Sequence, residues 1–214
     1  MQYKKLTKGL YVITDYQNFK FKDLLRKTEL ILQNGISVLQ YRNKNSTGKQ
    51  KKYEAAEFQK LCTEYNTCYI INDDIELAND IGADGVHLGQ NDTSCVSARA
   101  QLGNQKIIGI SCYNSLNRAE QAISNSADYI AFGAMYSTTT KKITKKAWPK
   151  LISIAKSKYS SPVVAIGGIT PDNCHPLITE NVDMLAVVSS VYLADNPSAV
   201  IKNFNRLIKN NEPL

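Results

Sequence analysis

Residues 81–88 read I-G-A-D-G-V-H-L, residues 125–132 read N-S-A-D-Y-I-A-F, and residues 181–188 read N-V-D-M-L-A-V-V. In each, a small or polar residue and an Asp close a helical stretch, and a short aliphatic run follows. A junction met three times marks one supersecondary unit used repeatedly. Comparable runs stand at 10–14 (LYVIT), 38–42 (VLQYR), 68–71 (CYII), 107–111 (IIGIS) and 163–166 (VVAI). Together with 85–88, 129–132 and 184–188 they make eight candidate strands. Most are continuously apolar, as parallel strands buried on both faces must be.

The segments between the runs carry helical periodicity. Phe21, Leu24, Leu25, Thr28, Ile31 and Leu32 fall on one helical face, as do Ala55, Phe58, Cys62 and Tyr65. Val200, Ile201, Phe204, Leu207 and Ile208 form a third such face. Eight strand–helix units in 214 residues leave roughly 27 residues each, near the low end for a (β/α)8 TIM barrel. The rival α/β architecture is an open doubly wound sheet. It lacks support, because no G-x-G-x-x-G follows the first run and the Gly-Lys at 48–49 has no upstream Gly at P-loop spacing. The expected fold is therefore one TIM-barrel domain over residues 1–214.

Composition narrows the function classes. With 43% apolar and 21% charged residues, the chain is neither disordered nor collagenous, and it is long enough for one sizeable core. No apolar run approaches a membrane span, and the opening MQYKKLTKGLYVITD has no cleavable signal pattern, so a cytoplasmic protein is expected. Five cysteines without a C-x-x-C fit reduced thiols, and two histidines argue against a Cys/His zinc site. The 26 basic and 19 acidic residues give a net charge of +7, which suits phosphorylated small molecules. No basic helix or aromatic RNA-binding string points to nucleic acid, and no membrane partner is expected. A homo-oligomer is compatible with the sequence.

In a TIM barrel the chemistry gathers at the C-terminal ends of the strands. The second run ends in Gln40-Tyr41-Arg42-Asn43-Lys44, where alternation would put Gln40, Arg42 and Lys44 on one face. Two cations and an amide make an anion clamp, and the alternative is a salt bridge in the barrel mouth. Asn72, Asp73 and Asp74 follow the third run, and Asp92 follows the fourth. Asp73 and Asp92 can converge on a hard divalent ion such as Mg²⁺, or these aspartates can cap the next helices. Ser111 ends the fifth run. Thr138, Thr139, Thr140 and Lys141 follow the sixth, Gly167 and Gly168 the seventh, and Val188, Ser189 and Ser190 the eighth. Gly-exposed backbone N–H groups and hydroxyls after strands 7 and 8 are where such barrels often hold phosphate. The residues therefore describe two anion sites.

These motifs resemble one family. L-Y-V-I-T-D (10–15), Q-Y-R-N-K (40–44), I-N-D-D-I-E-L-A (71–78), G-A-D-G-V-H-L-G-Q-N-D (82–92), G-I-S (109–111), S-T-T-T-K (137–141), A-I-G-G-I-T (165–170) and V-S-S (188–190) are similar, in order, to thiamine-phosphate synthases. The resemblance implies condensation of 4-amino-2-methyl-5-pyrimidinylmethyl diphosphate with a thiazole ethyl phosphate, or its carboxylated precursor. The implied products are thiamine monophosphate and pyrophosphate, formed by Mg²⁺-assisted dissociative substitution. It implies that Gln40, Tyr41, Arg42, Asn43, Lys44, Asn72, Ser111 and Lys141 bind the diphosphate substrate. Of these, Arg42, Lys44, Lys141 and Ser111 would be catalytic. Asp73 and Asp92 would bind Mg²⁺. Thr138, Thr139, Thr140, Gly168, Val188 and Ser189 would hold the thiazole phosphate. The family often shows Pro where this chain has Ala134 and Ser137, and His or Thr at Tyr113 and Asn114. The alternatives are a thiazole tautomerase of the same superfamily and a non-catalytic phosphate-binding barrel.

Overall fold

The computed structural model describes residues 6–138 and 146–210. Thr139, Thr140 and Lys141 lie outside the described residues. Eight strands alternate with helices along the chain: β1 (Gly9–Ile13), β2 (Val38–Tyr41), β3 (Cys68–Asn72), β4 (Gly85–Leu88), β5 (Ile107–Tyr113), β6 (Tyr129–Gly133), β7 (Val163–Ile166) and β8 (Met184–Val187). The helices are α1 (Phe21–Leu32), α2 (Gly48–Glu64), α3 (Ile75–Ile81), α4 (Cys95–Leu102), α5 (Leu116–Ser124), α6 (Lys150–Lys158), α7 (His175–Thr179), α8 (Ser189–Tyr192) and α9 (Pro197–Lys209). All strand pairs are parallel, and β8 pairs back onto β1 to close an eight-stranded barrel. The expected barrel is borne out, and every strand lies within two residues of its sequence-read bounds.

Alternation along each strand splits the core into two parts. Leu10, Val12, Leu39, Tyr69, Ile71, Phe132 and Leu185 face outward and meet the apolar stripes of the helices, among them Leu24, Phe58 and Phe204. Tyr11, Ile13, Val38, Ile70, Ile107, Tyr129, Val164 and Met184 face inward and fill the barrel. Two glycines make room for large neighbours there. A Cβ on Gly109 would overlap the Tyr129 ring, and one on Gly85 would overlap the Ile107 carbonyl. No disulfide joins the five buried cysteines. No helix among the described residues is long and apolar enough to cross a membrane.

The repeated Asp of the helix-to-strand junctions has one structural job. Asp84 accepts from Tyr69 N (2.8 Å), Asp128 from Ile108 N (2.7 Å) and Asp183 from Val163 N (2.7 Å). Each carboxylate thus ties an N–H of the first or second residue of the preceding strand at the N-terminal mouth of the barrel. Arg99 pairs with Asp128 at 2.6 Å and Lys156 with Asp183 at 2.7 Å, which makes these charge-assisted contacts. Residues on this face serve stability rather than chemistry. Asp183→Ala should therefore cost about 2 kcal/mol, the scale of a hydrogen bond to a charged group. The loss should appear as a lower urea midpoint with an unchanged m-value. An unaltered midpoint would remove this role.

Candidate active site

At the opposite mouth the strand ends enclose a cavity of about 940 Å³. That is ample for two small substrates in one chamber. Gln40, Arg42, Lys44, Asn72, Ser111, Thr138, Gly168, Val188 and Ser189 all line it, so nine of the sequence-read residues meet in one place.

Tyr41 and Asn43 do not join them. Both point to the helix layer, where Tyr41 Oη donates to Glu54 Oε2 (3.2 Å) and Asn43 Nδ2 donates to the same oxygen (3.0 Å). The alternation that sends Gln40 and Arg42 inward turns these two side chains toward Glu54. β2 also ends at Tyr41, one residue short of the expected Arg42. Glu54 on α2, buried and also receiving Gln50 Nε2 (2.8 Å), anchors the rim beneath this loop.

Arg42 is fixed through its backbone. Its N–H donates to Thr14 Oγ1 (2.8 Å), and the same hydroxyl donates to the Arg42 carbonyl (3.4 Å). Among the described residues no carboxylate pairs with its guanidinium, so the salt-bridge alternative finds no partner there. Lys44 Nζ stands 3.3 Å from Asp73 Oδ2, with both side chains partly exposed.

The capping alternative for the aspartates divides cleanly. Asp74 caps α3, accepting from Leu77 N (3.0 Å), and holds Lys51 at 2.6 Å. Ser94 caps α4. Neither Asp73 nor Asp92 caps a helix, and the charge of Asp92 is felt at Asp73. Burial, and then the neighbouring Asp92, push the Asp73 carboxyl above its ordinary range, against the pull of Lys44. Asp92 folds back to accept from Gly89 N (2.7 Å). Asp73 itself sits at φ 65°, in the left-handed region, and neither it nor Asp92 is among the residues that line the cavity. Among the described residues no group of three or more Cys, His, Asp or Glu forms a metal cage. Mg²⁺ does not require one, since one or two carboxylates and substrate phosphate oxygens suffice. Two adjacent carboxylates that repel one another fit such an ion.

The far end of the cavity is made of backbone and hydroxyls. Gly167 (φ 104°) and Gly168 (φ 63°) turn the chain after β7. A Cβ on Gly168 would overlap the Ser137 carbonyl, so the loops after β6 and β7 can touch only because that residue is Gly. The next loop ends at α8, whose opening N–H groups have no intrahelical acceptor. Beside them, the Ser190 hydroxyl is buried, lines the cavity and has no hydrogen-bond partner among the described residues. A buried orphan donor at a helix start fits a bound phosphate oxygen.

The floor of the cavity is not marked as a site by any motif in the sequence. Tyr11 and His87 line it, and the Tyr129 ring stacks on His87 with centroids 5.6 Å apart. The signal was present in the inward parity of G-V-H-L and Y-I-A-F, although a lone mid-strand His or Tyr is indistinguishable from core by pattern alone. Thr14, which clamps Arg42, likewise shows in the sequence only as the end of a strand.

A family model described as thiamine monophosphate synthase matches residues 10–191. A thiamine-phosphate synthase of Marinobacter nauticus is 42% identical over 209 residues, covering 96% of this chain and 93% of the relative. Another, from Saccharophagus degradans, is 43% identical over 188 residues, covering 87% of each. Among solved structures, a thiamine phosphate pyrophosphorylase from Pyrococcus furiosus superposes with a TM-score of 0.86 at 27% identity, covering 96% of this chain and 97% of the other. A 3-hexulose-6-phosphate synthase from Salmonella typhimurium shares the fold, with a TM-score of 0.70 at 16% identity, covering 95% of this chain and all of the other.

Proposed function

This chain belongs to the thiamine monophosphate synthase family, and from that premise we propose how its cavity joins an aminopyrimidine methyl diphosphate to a thiazole ethyl phosphate. Membership makes it a transferase of thiamine biosynthesis. The observation that supports the assignment of ends is that one chamber has cationic side chains at one end and, at the other, a glycine turn with a hydroxyl unpartnered among the described residues. Arg42 and Lys44 stand at one, and the Gly168 turn and Ser190 hydroxyl at the other.

In this reading the diphosphate lies against Arg42, Lys44, Asn72 and the Asp73–Asp92 pair, with Lys141 as a further expected cation. The thiazole phosphate lies against Gly168, Val188, Ser189 and Thr138, with Thr139 and Thr140 expected to join them. The bond between the pyrimidine methylene carbon and its diphosphate oxygen breaks, and the electron pair leaves with pyrophosphate. The thiazole ring nitrogen then gives its lone pair to that carbon, and thiamine monophosphate results. Negative charge grows on the leaving group, so Arg42 and Lys44 stabilise the transition state more than the ground state. Mg²⁺ held by Asp73 and Asp92 would supply further neutralisation of that leaving charge. No protein nucleophile is needed. Holding both substrates in one pocket replaces a bimolecular encounter by a positioned one.

The test is direct. The purified protein with both substrates and Mg²⁺ should release pyrophosphate and form thiamine monophosphate in equal amounts, and EDTA should reduce turnover to background. Absence of pyrophosphate would overturn the reading. Isomerisation of a thiazole carboxylate phosphate without Mg²⁺ would put the tautomerase in its place.

A further inference from the structure

Five polar side chains cross the barrel in single file beneath the cavity. Gln40 Nε2 lies 2.6 Å from the Tyr11 hydroxyl, which lies 2.9 Å from the Tyr129 hydroxyl. The Tyr129 hydroxyl lies 2.9 Å from His87 Nδ1, and His87 Nε2 lies 2.9 Å from Ser111 Oγ. Gln40, Tyr11 and Tyr129 are at most 3% exposed, so the protein itself must satisfy these groups.

Counting protons gives the file a direction. An amide nitrogen can only donate, so Tyr11 accepts from Gln40. Tyr11 has one proton of its own, and its remaining partner is the Tyr129 oxygen. Tyr129 in turn has one proton, and its remaining partner is His87 Nδ1. A neutral imidazole that accepts at Nδ1 carries its hydrogen at Nε2. That hydrogen points at Ser111 Oγ, and the Ser111 proton is left to face the cavity. Burial drives both phenols well above their ordinary range, so each keeps the proton that the file requires.

We propose that Tyr129 is a positioning residue for the reaction: by donating to His87 Nδ1 it locks the ring as the Nε2–H tautomer and makes Ser111 a hydrogen-bond donor into the cavity. Tyr129 does not itself line the cavity and acts through its neighbours in the file. The substrate atom above Ser111 must then be an acceptor, such as a ring nitrogen or a phosphoryl oxygen, and an analogue with a donor at that atom is disfavoured. The kinetic consequence rests on the proposed synthase reaction, whereas the tautomer does not.

The chain has two histidines, His87 and the exposed His175, which makes the experiment simple. Full-length protein carrying ¹⁵N-histidine is measured by long-range ¹⁵N–¹H NMR in mildly alkaline buffer, with His175→Gln to assign the two rings. His87 should show the pure Nε2–H pattern. In Tyr129→Phe that pattern should give way to mixed tautomers, and kcat/KM should fall about tenfold, the effect of one misdirected hydrogen bond. A wild-type Nδ1–H ring, a doubly protonated ring, or an unchanged His87 pattern in Tyr129→Phe would overturn the proposal. If the wild type makes no thiamine monophosphate, the synthase reading fails while the spectrum still decides the tautomer.

Discussion

Asp73→Asn should lower kcat/KM about 10³-fold and weaken the apparent Mg²⁺ affinity, leaving the barrel folded. The size follows from what a divalent ion at a leaving pyrophosphate contributes, about 4 kcal/mol of charge stabilisation. Asn is the informative substitution. Asp73 occupies a left-handed backbone at φ 65°, which Asn tolerates and Ala does not, so Asp73→Ala would mix strain with the loss of charge. The partly exposed Lys44–Asp73 pair, at 3.3 Å, adds little stability of its own. Removing one of two neighbouring carboxylates relieves repulsion, since Asp92 is among the causes that raise the Asp73 carboxyl. The thermal midpoint should hold or rise while activity collapses, the pattern of a site that gives up stability for function. Steady-state rates across a Mg²⁺ titration decide it. A rate and a metal dependence equal to the wild type's would remove Asp73 from any ligand set.

The barrel was legible because parallel strands buried on both faces must be apolar throughout, and eight such runs stood between amphipathic segments. The Asp of the junctions was visible as a repeat, but its task was not. A carboxylate that ties Val163 N across the strand end leaves no periodic trace. In the site, charge and parity brought Gln40, Arg42 and Lys44 to one cavity, although β2 stops at Tyr41 and the alternation survives only as a bend. The same parity turns Tyr41 and Asn43 toward Glu54, although the resemblance names them with their neighbours as part of one contiguous motif. Asp74 and Asp73 illustrate the other boundary of sequence reasoning: adjacent identical residues, one a helix cap and one facing Asp92, are separated by backbone dihedrals that no composition records. The floor went unread for a third reason. Tyr11, Tyr129 and His87 derive their meaning from hydrogen bonds across the barrel, between partners 24 to 118 residues apart along the chain.

Arg42→Ala should cut kcat/KM about 10²-fold or more, the equivalent of roughly 3 kcal/mol of lost transition-state stabilisation. The argument turns on what the guanidinium is for. A cation at a strand end is costly unless something negative meets it. No carboxylate among the described residues does so, while Thr14 grips the Arg42 backbone at 2.8 Å and 3.4 Å and holds the side chain's origin still. A fixed cation without a resident anion, in the wall of a cavity, is placed for an incoming one. If its partner is the diphosphate, the loss must track leaving-group charge and fall on kcat as well as KM, because charge grows as the bond breaks. Arg42→Lys should recover only part of the rate, since an ammonium keeps the charge and loses the planar fork that grips two phosphoryl oxygens. Affinity for the thiazole phosphate should stay near the wild-type value, as that ligand is proposed to sit by Gly168 and Ser190 instead. A variant that merely melts earlier, with unaltered kinetics below its melting point, would make Arg42 a strut of the rim and move the diphosphate elsewhere.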